Sequence, residues 1–280
     1  MIKKENSMDE NVLLALGLTL FAGLATGIGS LIAFFTTRTN KKFLSVALGF
    51  SAGVMIYVSL VEIFVKAKAA LVNVHGETVG YWYTIIGFFG GMLVIALIDR
   101  FIPKGKNPHE VKSVEDVQKA QLIGNEDVEA DRLMKMGLIT ALAIAIHNFP
   151  EGIATFMAVL QDPNVGIAIA IAVAIHNIPE GIAVAIPIFY ATGKRMKAFK
   201  WSFASGLSEP LGAFIAYLVL MQFMTDTLFG IVFAGVAGIM VFISIDELLP
   251  AAKKYDEAHS SIYGLIAGMA VMAISLVMLT

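Results

Sequence analysis

Hydrophobic residues along the chain fall into eight long runs separated by short polar segments. The runs lie near residues 12–36, 43–65, 80–102, 134–160, 164–191, 199–223, 227–250 and 261–280. A helix needs about 20 apolar residues to cross the roughly 30 Å hydrocarbon core of a bilayer. The pattern therefore predicts an all-α membrane protein with eight transmembrane helices, and eight such runs in a row make buried soluble helices a poor alternative.

The connections between the runs predict one polytopic membrane domain over residues 1–280. The only long connection, residues 103–135, follows the third run and is polar and rich in charge. Because its composition lacks the apolar residues of a packed core and His109 is its only histidine, we expect a solvated linker and not a metal sensor. The first run begins at Val12 and is too long for a signal-peptide core, so we expect it to be retained as a span.

The overall composition agrees with the membrane class. The chain is 58% hydrophobic and 15% charged, against about 45–50% and about 25% in average soluble domains, and its mean hydropathy is +0.78. A formal net charge of −2 argues against a nucleic-acid partner. The absence of cysteine excludes thiolate metal sites, so metal chemistry would need histidine, carboxylate, asparagine or methionine ligands, which suit ions that must be released.

The distribution of basic residues predicts the orientation in the membrane. With eight spans both termini lie on one side, and of the 20 Lys and Arg only Lys3, Lys4, Lys66 and Lys68 fall on that side. Basic loops normally face the cytoplasm. We therefore expect both termini outside the cytoplasm and the 103–135 connection inside it.

A six-residue signature occurs twice, as HNFPEG at residues 147–152 and as HNIPEG at residues 176–181. The two copies lie in the fourth and fifth runs, which a turn at residues 161–164 makes antiparallel neighbours. Each histidine is about 20 Å from a helix end at 1.5 Å per residue, so both copies lie near the membrane midplane, where transporters bind substrate. Ionisable groups at that depth are costly and indicate function.

Helical spacing within each copy predicts a layout for this site. At about 100° per residue, Glu151 lies between His147 and Asn148 around the helix. Glu180 lies between His176 and Asn177 in the same way. Two such helices face to face would place both imidazoles at one metal centre and both amides at another, with the glutamates bridging. The prolines leave carbonyl groups without helical partners, and the following glycines permit close packing.

Further polar residues in the apolar runs are candidate ligands, each with an alternative. Glu209, beside Pro210, is a further ligand or a hydrogen-bonded structural residue, and Ser205 is a secondary ligand or a helix contact. Met55 is a soft ligand or a packing residue. The last three are Glu62, Asp246 and Glu247, each a ligand on the way to or from the site or else part of a solvated helix end.

These motifs together resemble the ZIP family of zinc and iron transporters, with the bacterial ZupT-like branch closest. The resemblance rests on HNFPEG, HNIPEG, the SEP at 208–210 and the DELLP at 246–250, and it covers nearly the whole chain. It implies uptake of Zn²⁺, and often Fe²⁺, Mn²⁺, Co²⁺ or Cd²⁺, into the cytoplasm. It also implies a 3+2+3 inverted-repeat arrangement, alternating access by an elevator-like slide, a homodimer and the cell (inner) membrane.

The resemblance also implies roles for individual residues. By position the ligands of a midplane, often binuclear, site are His147, Asn148, Glu151, His176, Asn177, Glu180 and Glu209, with Glu247 on the exit side. Two departures stand out: the long connection is poor in histidine, and Asp246 takes a position where some relatives have histidine. The bound metal would be transported cargo, and no cofactor is expected.

Two other classes of function use the same ligands. An intramembrane zinc-dependent hydrolase would need an open coordination position and a spare general base, and the sequence has no HExxH helix. A metal sensor or structural metal protein would bind the ion without passing it. The sequence also has no Walker-type glycine-rich loop, which argues against ATP-driven transport by this chain.

Overall fold

The computed structural model describes residues 2–35, 41–101, 126–223, 225–254, 256 and 259–279, and these residues contain helices and no strand. Eight of the helices are long and apolar enough to cross a membrane. Their bounds are α1 (Ile2–Phe35), α2 (Lys41–Tyr57, Val58–Ile63 and Phe64–His75), α3 (Glu77–Phe101), α4 (Glu126–Gln161), α5 (Pro163–Thr192), α6 (Arg195–Gly206, Ser208–Ile215, Ala216–Leu220 and Met221–Phe223), α7 (Asp226–Ile243, Ser244–Leu248 and Leu249–Lys254) and α8 (Ser260–Leu279).

The turn between α4 and α5 follows from its local sequence. The carboxylate of Asp162 accepts hydrogen bonds from the backbone N–H groups of Asn164 and Val165, at 3.0 and 3.4 Å, and Pro163 follows at the first helical position. Both are standard features of a helix start. At its other end α5 stops at Gly193, whose φ of 64° ends the helix. The predicted antiparallel hairpin of α4 and α5 is confirmed.

One predicted boundary was wrong. The second run was expected to end at residue 65, with Lys66 and Lys68 in a loop, but α2 continues to His75. No residue between them breaks a helix until Gly76, which has a φ of 79°. The fourth span agrees with its predicted start at residue 134, since its membrane-crossing part begins at Leu133. The helix itself starts earlier, at Glu126, within the connection predicted over 103–135. Residues 102–125, with His109, lie outside the described residues.

The helices pack in two groups that meet around the middle of the molecule. One group contains α1, α4, α5 and α6, and the other contains α2, α3, α7 and α8. The groups touch mainly where α5 meets α2 and where α7 meets α4. Large apolar side chains cover much of the outside, for example Phe35, Ile86 and Val277 at 82%, 63% and 79% exposure. Such a surface suits a lipid environment.

Three helices change from α-helical to π-helical geometry for about one turn. The segments are Val58–Ile63 in α2, Ala216–Leu220 in α6 and Ser244–Leu248 in α7. Such single π turns inside α-helices are rare and are often found at functional sites. Two of them contain carboxylates predicted from the sequence, Glu62 in α2 and Glu247 in α7.

Candidate metal centre

The two signatures lie inside α4 and α5, with Pro150 and Pro179 in helix interiors. Each proline removes one backbone N–H from its helix, so a carbonyl one turn earlier loses its usual donor. The glycine that follows lets a second backbone approach. A Cβ atom at Gly152 would collide with the carbonyl oxygen of Glu209 in α6, and one at Gly181 with that of Thr26 in α1. The signatures therefore bring α6 and α1 directly against the site.

The histidines and glutamates of the two signatures pair crosswise between the helices. His147 Nε2 lies 3.0 Å from Glu180 Oε1, and His176 Nε2 lies 3.2 Å from Glu151 Oε2. Within α5, His176 Nδ1 is also 3.4 Å from Glu180 Oε1. All four residues are at most 3% exposed. Glu180 therefore stands between the two imidazoles, and the signatures form one cluster.

Residues from α7 and α6 complete the cluster. Glu247 Oε2 lies 3.8 Å from His147 Nδ1, and Glu247 is buried while its neighbour Asp246 is exposed. On the other side Asn177 donates a hydrogen bond of 2.7 Å to Glu209 Oε2 and another of 2.9 Å to the carbonyl oxygen of Ala22. The site thus joins four helices: α4, α5, α6 and α7.

The two asparagine amides contact different carboxylates. With the amide of Asn148 turned so that its nitrogen donates, the nitrogen lies 3.3 Å from Glu180 Oε2 and 3.2 Å from the carbonyl oxygen of Ile144. Asn177 instead contacts Glu209. Both imidazoles and the Asn148 amide therefore lie against Glu180, whereas the Asn177 amide lies against Glu209. The two-centre layout drawn from the helical angles stays a prediction.

Several buried polar atoms of this cluster make no hydrogen bond with any described residue. They include Glu151 Oε1, Glu209 Oε1 and Asn177 Oδ1. Buried polar atoms nearly always have partners, so each exception requires an explanation. In the described part of the chain, no three His, Asp or Glu side chains are already arranged as a metal-ligand set. The side chains hydrogen-bond in pairs, and unpartnered oxygen lone pairs remain beside them.

The other candidate residues take different positions. Met55 is 1% exposed and belongs to the main hydrophobic cluster. The Ser205 hydroxyl donates to the carbonyl oxygen of Ser202 at 2.7 Å, which is a contact within its own helix. Glu62 forms a 2.8 Å ion pair with Lys66. Of these three, only Glu62 has a charged partner, and that partner was not predicted.

Two cavities lie toward opposite ends of the site. A small one of about 30 Å³ is lined by Thr140, His147, Glu180 and Glu247, at the end where α4 begins and α7 finishes. That volume holds about one or two water molecules. A larger one of about 650 Å³ lies at the other end, with Lys66 and Asp226 among its lining residues. Thr140 was missed from the sequence, although it lies two helical turns before His147 on the same face of α4.

Comparison with known proteins identifies the family. The family described as ZIP Zinc transporter matches residues 12–276. The chain is 76% identical to a protein named zinc transporter ZupT from Lysinibacillus sphaericus, over 97% of this chain and 100% of that protein. It is 69% identical to a protein of the same name from Oceanobacillus iheyensis, over 96% and 99% of the two chains. A Clostridium perfringens protein of that name is 59% identical, with 96% of each chain covered.

The chain belongs to the ZIP family. The resemblance inferred from its motifs is confirmed along almost its whole length. As a ZIP protein it is a multi-pass membrane transporter of metal ions and not an enzyme, which removes the hydrolase alternative. Its doubled signature, with the crosswise His–Glu pairs, is the candidate metal centre of this ZIP chain.

Proposed function

We propose that this chain carries divalent transition-metal ions, Zn²⁺ first, into the cytoplasm through a midplane site. The observation that carries the proposal is the crosswise pairing of His147 with Glu180 and of His176 with Glu151. Charged side chains at this depth are costly to bury and are retained where they bind ions or protons. Family membership and full-length relatives named as zinc transporters support the same conclusion.

The proposed ligands are the residues of the two signatures and the neighbouring carboxylate of α6. They are His147, Asn148, Glu151, His176, Asn177, Glu180 and Glu209. On binding, each His–Glu hydrogen bond is exchanged for two bonds to the ion, and the unpartnered oxygens of Glu151, Glu209 and Asn177 become ligands. Such nitrogen and oxygen donors accept Zn²⁺ and also Fe²⁺, Mn²⁺, Co²⁺ and Cd²⁺.

Charge balance supports a binuclear site. Glu151, Glu180, Glu209 and Glu247 are buried carboxylates in or beside the cluster. When all are ionised, their charge equals that of two divalent ions, whereas one ion would leave an uncompensated charge in a low-dielectric interior. Glu180 contacts both imidazoles and is suited to bridge the ions. Met55 and Glu62 on α2, Ser205 on α6, and Asp246 and Glu247 on α7 would serve the paths to and from the site.

We propose alternating access as the mode of transport. The ligands belong to the group of α1, α4, α5 and α6, and Glu247 belongs to the other group. A slide of one group against the other would expose the ligands first to the large cavity and then to the small one. The groups touch mainly where α5 meets α2 and where α7 meets α4, so a slide would disturb few of the contacts within each group.

The 3+2+3 inverted repeat is supported by matched packing. The inverted repeat would exchange α1 with α6, α2 with α7, α3 with α8 and α4 with α5. Under this exchange the α1–α5 contact becomes the α6–α4 contact, and the α2–α8 contact becomes the α7–α3 contact. All of these contacts are extensive. Gly29 packs against Ile178 as Gly212 packs against Phe149, the corresponding residue of the other signature.

The remaining parts of the proposal concern placement and assembly. The excess of Lys and Arg on one side supports a cytoplasmic location for the 103–135 connection and an extracytoplasmic location for both termini. We place the chain in the cell (inner) membrane as one domain that interacts with lipid and metal ions. The homodimer is proposed from the family resemblance, and mass measurement of the detergent-solubilised protein would test it.

Metal uptake into liposomes that contain the purified protein tests the function. We expect saturable Zn²⁺ uptake, reduced by competing divalent ions, and at least tenfold slower uptake by Glu151→Ala and Glu180→Ala because each loses a ligand. Wild-type protein that binds Zn²⁺ without passing it would contradict transport. Variants that transport as wild type does would contradict the site.

A further inference from the structure

The π-helical segments of α2 and α7 lie in matching stretches of sequence. Residues 52–63, AGVMIYVSLVEI, align without a gap with residues 237–248, AGIMVFISIDEL. The identical pairs are Ala52 and Ala237, Gly53 and Gly238, Met55 and Met240, Ser59 and Ser244, and Glu62 and Glu247. Most of the other positions exchange one apolar residue for another.

The structure gives these matching residues matching environments. Met55 and Met240 are each 1% exposed, and Ser59 and Ser244 are fully buried. A Cβ at Gly53 would collide with the backbone of α8, and a Cβ at Gly238 with that of α3. Because α2 and α7 run in opposite directions, Glu62 and Glu247 lie toward opposite ends of the molecule. They are counterparts on the two sides of the metal centre.

The two glutamates nevertheless have different partners. Glu247 points toward the site, 3.8 Å from His147 Nδ1. Glu62 instead forms a 2.8 Å ion pair with Lys66, one turn further along α2, and the two side chains are only 17% and 23% exposed. The α7 position that corresponds to Lys66 is Ala251, which has no charge. The matching position of α7 therefore carries no ammonium group.

The position of Lys66 relates this ion pair to the metal path. Lys66 lines the 650 Å³ cavity, as do Asn73, Gln161 and Asp226. Glu62 lies one turn deeper on α2, and Met55 is two further turns toward the centre. The lysine that lines this cavity is thus the ion-pair partner of a carboxylate one turn deeper on α2.

We propose that Lys66 is an internal counter-ion that holds Glu62 until an incoming metal ion displaces it, and that it thereby sets the apparent affinity at the extracytoplasmic mouth. The inference rests on the proposed function for the direction of transport. A divalent ion carries twice the charge of the ammonium group and binds carboxylate oxygen directly, so it displaces the lysine. Lys66 then moves into the adjoining cavity, where water solvates it.

The test compares Zn²⁺ uptake by Lys66→Met, Glu62→Gln and the double variant in liposomes. Without Lys66, Glu62 attracts metal without competition, so we expect a KM about fivefold lower than that of wild type, the size expected for one partly buried ion pair. Glu62→Gln should raise the KM. In the double variant the KM should equal that of Glu62→Gln alone, because the effect of Lys66 passes through Glu62.

Two controls keep the interpretation specific. Lys68→Met removes the same charge two residues away, where the ammonium lies 4.3 Å from the Tyr81 ring, and its KM should stay at the wild-type value. Lys66→Arg should also keep the wild-type KM because the ion pair is kept. If Lys66→Met misfolds, Lys66→Gln removes the same charge with a polar side chain and should lower the KM in the same way. The proposal would be overturned by any of three results. The KM could be unchanged in Lys66→Met, it could fall equally in Lys68→Met, or it could be lower in the double variant than in Glu62→Gln alone.

A second measurement separates this inference from the proposed function. Zn²⁺ binding to the detergent-purified variants should tighten in Lys66→Met and not in the double variant. If wild type passes no Zn²⁺, the proposed function fails, and this binding comparison alone decides the role of Lys66.

Discussion

At the scale of single residues, Glu180 is the central side chain of the candidate metal centre. One of its oxygens lies 3.0 Å from His147 and 3.4 Å from His176, and its other oxygen lies within 3.3 Å of the Asn148 amide. Glu151, the equivalent residue of α4, pairs with His176. The two signatures have the same sequence pattern but different contacts, so their glutamates should contribute unequally.

We therefore expect Glu180→Gln to impair Zn²⁺ uptake more than Glu151→Gln. Glutamine keeps the size of the side chain but removes its negative charge. In Glu180 that charge attracts both imidazoles and would bridge two bound metal ions. Uptake should fall about 10–100-fold for a lost metal contact, with the larger loss at Glu180. Initial rates in liposomes measure this. The exposed Glu77→Gln is the control and should match wild type, and equal losses at both signature positions would contradict a bridging role.

The predicted candidate ligands lie together in the structure, but the sequence did not predict their pairing. Helical angles relate residues on one helix, so they placed Glu151 beside His147 and could not reveal that His147 contacts Glu180 of the neighbouring helix. Helical angles also could not show which of the adjacent carboxylates Asp246 and Glu247 faces the interior. In the π turn that contains both, Asp246 is exposed and Glu247 is buried. Residue type and depth nominate candidate ligands, whereas pairing depends on how two helices rotate against each other.

At the scale of helices, glycine in each signature fixes the spacing between the site and a neighbour. Gly152 lies against the backbone of Glu209 in α6, and Gly181 against that of Thr26 in α1. Exchanging α4 with α5 and α6 with α1 converts the contact of Gly152 with Glu209 into the contact of Gly181 with Thr26. Thr26 in α1 therefore corresponds to Glu209 in α6. The α6 side supplies a carboxylate and the α1 side a hydroxyl, and this difference concentrates negative charge on the α6 side of the site.

Alanine at either signature glycine should separate these helices. The added methyl group would collide with a backbone carbonyl, which cannot rotate away, so we expect destabilisation of about 1–3 kcal/mol. The thermal unfolding midpoint of the detergent-purified protein measures it. Gly17→Ala is the matched control in α1, because no atom lies within 4 Å of its added Cβ. It should be neutral or stabilising, since alanine favours helix, and equal midpoints for all variants would contradict the close packing.

The sequence predicted the helices well and their local geometry less well. All eight apolar runs are helices, because run length and hydropathy determine whether a segment can cross a bilayer. The extension of α2 to His75 was missed since Lys66 and Lys68 resembled a polar loop, although no residue there stops a helix. The π turns were missed because they depend on packing against other helices, which spacing within one helix does not encode.

At the scale of the whole molecule, the proposed alternating access would use the division of the helices into two groups. Glu62 and Glu247 lie in related positions at opposite ends of the site, and both belong to the group of α2, α3, α7 and α8. Movement of the other group would bring the ligands near one glutamate and then the other. This relation could not be inferred from either stretch alone, since only five of twelve aligned positions match and the stretches lie far apart in the chain.

The orientation of the two cavities can be measured directly because the chain has no cysteine. Asn73 lines the large cavity, and the exposed Lys200 lies near the start of α6 at the opposite end. If basic loops face the cytoplasm, a membrane-impermeant thiol reagent should label Asn73→Cys in intact cells. It should label Lys200→Cys only after the membrane is opened. The opposite result would reverse the orientation, and the large cavity would then be the exit for metal brought from outside.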